Sequence, residues 1–170
     1  WGSGANTLYA FISNGPSNGQ SAIARFGCPS DAATGSVIHI AQVTGMSRIG
    51  LDAVRQIAVD QENSASTVPL CTWGVSSLTG SQCLAAVAYN SSVAGALPMT
   101  SWTELADVGY ATPSTALEYF IRNSGNVSTT VSSGAPVSSL SAMIAIELNT
   151  TVPDQLMGGI LEHLEYTFRG

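Results

Sequence analysis

The chain predicts an all-β fold: a two-sheet antiparallel β-sandwich of roughly 8–10 strands with at most one short helix. Three observations carry this. Short runs rich in Val, Ile, Thr and aromatic side chains alternate with clusters of Gly, Ser, Asn and Pro, the punctuation of strands and turns. The runs recur at close to the 8–12-residue spacing of sandwich strands. Of 170 residues, 45% are hydrophobic and 9% charged, at a mean hydropathy of +0.24, so the chain can bury enough apolar surface to offset its ordering entropy. One domain of ordinary size is expected, a sandwich over residues 1–150 followed by an extension over 151–170 that serves as a strand or assembly arm.

In chain order, residues 7–13 (TLYAFIS) read as a strand, closed by the turn-forming NGPSNG, with 20–26 (QSAIARF) as its hairpin partner. Residues 36–43 (SVIHIAQV) are β-branched and almost continuously apolar, which predicts a central strand covered on both faces and ended by Gly45. In 46–59 (MSRIGLDAVRQIAV) Ile49, Ala53 and Ile57 recur every four residues, as in a helix, but Gly50 weakens that pattern, leaving a helix or a loop with a helical turn. A polar link, DQENSAS, leads to a strand over 67–73.

Residues 82–89 (QCLAAVAY) are apolar at both alternating sets of positions, which predicts a strand buried between layers. A small-residue loop with Pro98 precedes a strand over 101–108 (SWTELADV), and a loop with Pro113 precedes 115–122 (TALEYFIR). The turn NSGN then suggests a hairpin between 115–122 and 127–132 (VSTTVS), and 143–148 (MIAIEL) is a further strand. Beyond Thr151, the pair Gly158-Gly159 breaks a helix, while Ile160, Glu162, Leu164, Tyr166 and Phe168 fall on one face of an extended segment. A strand from about residue 159 follows, paired with its own sheet or with a neighbouring subunit.

Charge excludes several function classes. The basic residues are all arginine (Arg25, Arg48, Arg55, Arg122, Arg169), and 5 of them against 11 acids leave a net charge of -6. No basic field is available for a phosphate backbone or an anionic membrane, so neither nucleic acid nor membrane is expected as a partner. Apolar runs such as 84–89 and 143–146 fall far short of the roughly 18 residues that span a bilayer, which predicts a soluble chain. The sequence opens on Trp1 with no initiator methionine or signal segment, as expected of a processed product or part of something longer.

Reactive constellations are sparse, and no catalytic, cofactor or metal residue is assigned. Cys28, Cys71 and Cys83 form an odd set without a C-x-x-C pair; Cys71 and Cys83 are either bridged across two strands or small buried hydrophobes. His39, inside an apolar run, reads as a hydrogen-bonded core histidine, and His163, between Glu162 and Glu165, as a surface residue; neither adjoins a nucleophile elbow. Glycoside hydrolysis would need two carboxylates on one cleft, for which Glu104, Asp107, Glu118 and Glu147 are available. On a regular strand, however, Glu104 and Asp107 point to opposite faces. Trp102 and Tyr110 offer a sugar-stacking platform, or Trp102 plugs one end of the core. No D-x-D-x-D-G calcium loop occurs, and WGSG and NGPSNG lack the context of a phosphate loop. Sequons stand at Asn90, Asn126 and Asn149.

A neutral, hydroxyl-rich surface with few charges packs against copies of itself without desolvating ions. The segment 84–148 resembles, in its order of features, the β-sandwich domains of tailed-bacteriophage virion surface proteins. These features are an apolar strand, a Pro-containing loop, a strand opening on W-T-x-L at Trp102, a second strand ending in a Gly-containing hairpin, and a final apolar strand closing on Glu147. Ser101 stands where that pattern has Gly, and SVIHIAQVTG upstream resembles the strand that precedes it.

The resemblance implies a jelly-roll-like fold and a non-enzymatic structural protein on the virion surface. Such a protein is a head decoration, a minor capsid protein, or a tail or fibre module, binding itself, other virion subunits and a host-surface glycan. Trp102, Tyr110, Leu164, Tyr166 and Phe168 are the expected interface residues, and no cofactor is implied. A subunit of an extracellular filament built by strand complementation and a carbohydrate-binding module are the competing expectations.

Overall fold

The computed structural model describes residues 8, 10, 12, 39–46, 53–92, 95, 97–110, 115–123, 125, 127–135 and 137–149. They form eight strands: β1 (Val54–Ser66), β2 (Leu70–Thr72), β3 (Gln82–Tyr89), β4 (Leu97–Pro98), β5 (Trp102–Tyr110), β6 (Thr115–Arg122), β7 (Thr130–Gly134) and β8 (Ser139–Leu148). A five-stranded sheet has the order β1-β8-β3-β6-β5 and a three-stranded sheet the order β2-β7-β4, every pairing being antiparallel. There is no α-helix among the described residues.

The order of pairing has one logic. The first strand lies beside the last (β1 with β8), the second beside the seventh, the third beside the sixth, and β4 lies against β5. The first three of these pairs alternate between the two sheets, as in a jelly roll, whereas β5 takes its backbone hydrogen bonds from β6 and extends the larger sheet.

Alternation explains the core. On β3, Cys83, Ala85, Val87 and Tyr89 point inward; on β8, Ser141, Met143, Ala145 and Glu147 do so, and on β6 Ala116, Glu118 and Phe120. Cys71 and Val131 of the smaller sheet close over them, together with Trp73 and Trp102. The other set of positions is also apolar: Leu84, Ala86 and Ala88 on β3, Leu140, Ala142, Ile144 and Ile146 on β8, and Leu117, Tyr119 and Ile121 on β6. Leu8 packs on this outer face beside Ala86, Leu117, Leu140 and Ala142, and the His39 ring stacks on Tyr119 with centroids 6.2 Å apart.

Three expectations are corrected. Residues 54–59 of the segment 46–59 expected to be a helix or helical turn, and the polar link after it, belong to β1, a 13-residue strand that runs along β8 through residue 66, while 47–52 lie outside the described residues. The sheet overrides the four-residue spacing because β8 offers a full ladder of unpaired backbone groups, and Ala58 against Ala145 leaves Ile57 and Val59 on the outer side. Residues 115–122 and 127–132 do not form a hairpin: β6 pairs with β3 and β5, whereas β7 pairs with β2 and β4, so the turn between them carries the chain from one sheet to the other. The described part of 36–43 is not a central strand. Its residues 39–43 lack strand pairing, Ile40 is 80% exposed, and the central places are filled by β8 and β3. The strands expected over 7–13, 20–26 and beyond 159 lie outside the described residues, apart from single positions in the first.

The two faces of the larger sheet should answer differently to truncation. Phe120→Ala, in the inner layer, is expected to cost about 3–5 kcal/mol by urea denaturation, whereas Ile57→Ala on the outer side should cost less than about 0.5 kcal/mol. Equal losses would contradict the assignment of faces.

Candidate functional site

Three groups of polar side chains interrupt the apolar interior. The first sits where β1 and β8 meet the loop before β3. Glu147 is fully buried, yet both oxygens are occupied: Oε1 accepts from the Leu78 N–H at 2.7 Å and from the Ser81 hydroxyl, and Oε2 from Gln56 Nε2 at 2.6 Å and Arg55 Nη1 at 2.5 Å. A shift in the β1–β8 register between Val54 and Gln56 makes this possible, since the extra residue turns both Arg55 and Gln56 toward the carboxylate. Burial alone would push Glu147 upward, but the bonds from Ser81, Leu78, Arg55 and Gln56 hold its pKa below the ordinary value of 4.5.

Arg122 on β6 anchors the same loop from the other side. Nη1 donates to the Ser77 hydroxyl at 2.6 Å, while Nη2 donates to Leu78 O at 2.8 Å and to the Ser81 carbonyl. Ser81 therefore bridges an acid and a base at the end of the sandwich. Every oxygen of Glu147 is satisfied within the fold, so this cluster is a structural clamp on residues 77–81.

The second group lies at the opposite edge of the larger sheet. Strand β5 has a register shift between Glu104, which faces Phe120, and Ala106, which faces Tyr119. Leu105 is the extra residue of a β-bulge. Because the bulge inverts the alternation, Glu104 and Asp107 stand on the same face instead of opposite ones, and Asp107 is directly across from Glu118 of β6. Carboxylate oxygens of Glu104, Asp107 and Glu118 all lie within 4.8 Å of one another. Glu104 and Asp107 face solvent; Glu118 is buried, with Oε1 accepting from the Tyr89 hydroxyl and the Gly95 N–H, both at 2.7 Å, and Oε2 buried without a partner. Partial burial and then the charges of Glu118 and Asp107 raise the Glu104 pKa. The expectation that Glu104 and Asp107 point apart is thus overturned by one inserted residue, which a pattern of period two cannot register.

The third group is the pair of thiols. Cys71 and Cys83 are free and fully buried, which decides between the two readings of their spacing. Cys71 Sγ lies 3.3 Å from Met143 O. Burial pushes Cys71 up to about 12, aided by the nearby Asp60 charge, and Cys83 up to about 11, against the pull of Arg122. Both are small core hydrophobes.

The residues expected to form an interface are placed as follows. Trp102 is only 7% exposed, on the inner side of β5, so its ring plugs the core and offers no stacking platform. Its strand opens on a turn closed by Trp102 N–H to Met99 O at 3.1 Å, in which Ser101 has φ +68°, the left-handed region that favours glycine. Tyr110 ends β5. Leu164, Tyr166 and Phe168, like His163, Cys28 and Asn126, are outside the described residues. His39 is half-buried on the outer face, stacked on Tyr119, not in the core. Asn90 and Asn149, half-buried, follow β3 and β8. What the sequence did not reveal is that Glu118 is buried beside Glu104 and Asp107, and that Ile57 and Val59 are an exposed outer pair. Glu118 carried a signal, an acid among apolar neighbours in TALEYFIR.

The chain matches no protein-family model, no curated protein and no solved structure.

Two outcomes follow from the buried groups. A carboxylate whose pKa is lowered on folding adds stability above its ordinary value and loses it as pH falls through the folded value. Urea midpoints of the wild type should therefore fall as pH drops below about 4.5, with Glu147→Gln flatter across that window and less stable at pH 7 by about 3 kcal/mol. Alkylation of the native protein at pH 8 followed by mass mapping should leave Cys71 and Cys83 unmodified until denaturant is added.

Proposed function

We propose that the chain is a non-enzymatic structural protein that works by associating with copies of itself and with neighbouring subunits, as a surface component of a tailed-bacteriophage particle. The single observation that carries the reading is the outer face of the larger sheet. A sheet that borders water alternates apolar with polar residues. Here the outward rows of β3, β6 and β8 are instead apolar through Leu84, Ala86, Tyr119, Ile121, Ala142 and Ile144, and they end at the β1 edge in Ile57 and Val59, 56% and 70% exposed. Exposed branched side chains flanking an apolar face are suited to a self-complementary contact, and no described charged residue on those outward rows would have to be desolvated.

The jelly roll supports the virion assignment by analogy of fold, since viral capsid domains use it, as do lectins and cupins. A filament built by strand complementation is the second reading. What favours it is β1, a 13-residue edge strand whose far side pairs with no other strand among the described residues.

Val59→Asp places a charge on the outer side at little cost to the fold, within about 0.5 kcal/mol. Light scattering after gel filtration should show the wild type as an oligomer and the variant as a folded monomer; a wild type that is monomeric at high concentration would remove the reading. Terminase, portal and major capsid genes beside the coding sequence would separate virion from filament, and filaments seen by negative-stain microscopy would favour the latter.

A further inference from the structure

We propose that Glu104, Asp107 and Glu118 form a binding site for a hard divalent cation of the calcium class, with Glu118 Oε2 as its innermost ligand. This goes beyond the assembly reading and does not depend on it. Acidic residues often gather on surfaces without holding an ion, but Glu118 is different. It is fully buried on the inner side of β6, one oxygen is held by the Tyr89 hydroxyl and the Gly95 N–H at 2.7 Å, and the other is buried and unpartnered within the cluster. A buried carboxylate oxygen without a donor is costly, and Glu147 in the same protein shows the alternative, with four donors around one carboxylate.

No described cation neutralises the trio. Arg55 is bound to Glu147 and Arg122 to residues 77–81, and these are the two arginines among the described residues. Oxygens that share a calcium ion at 2.3–2.6 Å lie at most about 5 Å apart, which the 4.8 Å limit on this trio meets. An all-carboxylate donor set selects calcium, magnesium or manganese over zinc or copper. The flexible 6–8 coordination of calcium suits a site in which three side chains come from two strands and water supplies the rest.

The tyrosine and the glycine amide orient Glu118 from behind and are not themselves ligands. Gly95 has φ +114°, a conformation that L side chains rarely adopt, so its amide reaches Oε1 from a loop position that favours glycine. The ion would join the bulged edge strand β5 to β6, and through Gly95 to the connection between β3 and β4.

The test uses the full chain, stripped with EDTA and then titrated with CaCl2 alone. Saturating calcium should raise the melting temperature by about 5–10 °C, with a Kd near 10⁻⁴ M. Tb3+ should give indole-sensitised emission, since Trp102 and Glu104 share a strand face, and calcium should quench it. The variants Glu104→Gln and Asp107→Asn alter solvent-facing groups, so they should fold; each should weaken calcium binding at least tenfold, and the double variant should abolish the shift while melting no lower than the stripped wild type. The proposal is overturned if calcium leaves the wild-type melting temperature unchanged, if NaCl of equal ionic strength reproduces the shift, or if the double variant retains it. A double variant that melts several degrees higher than the stripped wild type, when that wild type shows no calcium response, would identify the trio as a mere concentration of like charges.

Discussion

The structure depends on two strands that carry apolar side chains on both faces. β3 and β8 are paired along their whole length at the centre of the larger sheet, and each presents apolar side chains to both faces. Such strands are stable only if covered twice. The smaller sheet supplies the inner cover, and its shortness, with strands of three, two and five residues, shows how little backbone is needed once Cys71, Trp73 and Val131 fill the gap. Leu8 and His39 contribute to the outer cover, but Ile57 and Val59 stay exposed at its margin. The proposed role in assembly rests on that asymmetry.

The buried polar groups divide by how completely they are satisfied. Glu147, at one end, has donors on both oxygens, and Arg122 beside it donates from Nη1 and Nη2 while its Nε is buried without a partner; together they fasten the loop before β3. Their value is in specifying one arrangement of loop and strands; removing either partner of such a cluster costs far more than the cluster contributes in net terms. Glu118, at the other end, is half satisfied. Two carboxylates in one small sandwich thus stand in contrasting electrostatic states, and the difference lies in neighbours brought together by the fold and not in anything visible beside them in the chain.

How much was legible follows the range of the interactions. QCLAAVAY is recognisable as a doubly covered strand and MIAIEL as a strand because their signal is in the side chains themselves. β1 was not recognisable, since VRQIAVDQENSAS mixes a four-residue apolar spacing with a polar tail, and it is extended only because β8 lies beside it. The acidic trio was hidden for a related reason. A bulge at Leu105 shifts the strand by one residue, and one residue exchanges the faces of everything beyond it. Ser101, where the resemblance has Gly, shows the reverse case, a local backbone demand visible in both sequence and structure.

The sequence by itself determined the class of the fold and the extended runs at 82–89 and 143–148. These are consequences of composition and period, which act over a few residues. Tertiary structure alone decided that the chain after Arg122 changes sheets, that Arg55 and Gln56 converge on Glu147, and that Glu104, Asp107 and Glu118 face one another. Each of these requires strands distant in sequence to be set in a particular register, and register is chosen by the summed pairing and packing of the whole sheet, which no short window of sequence contains.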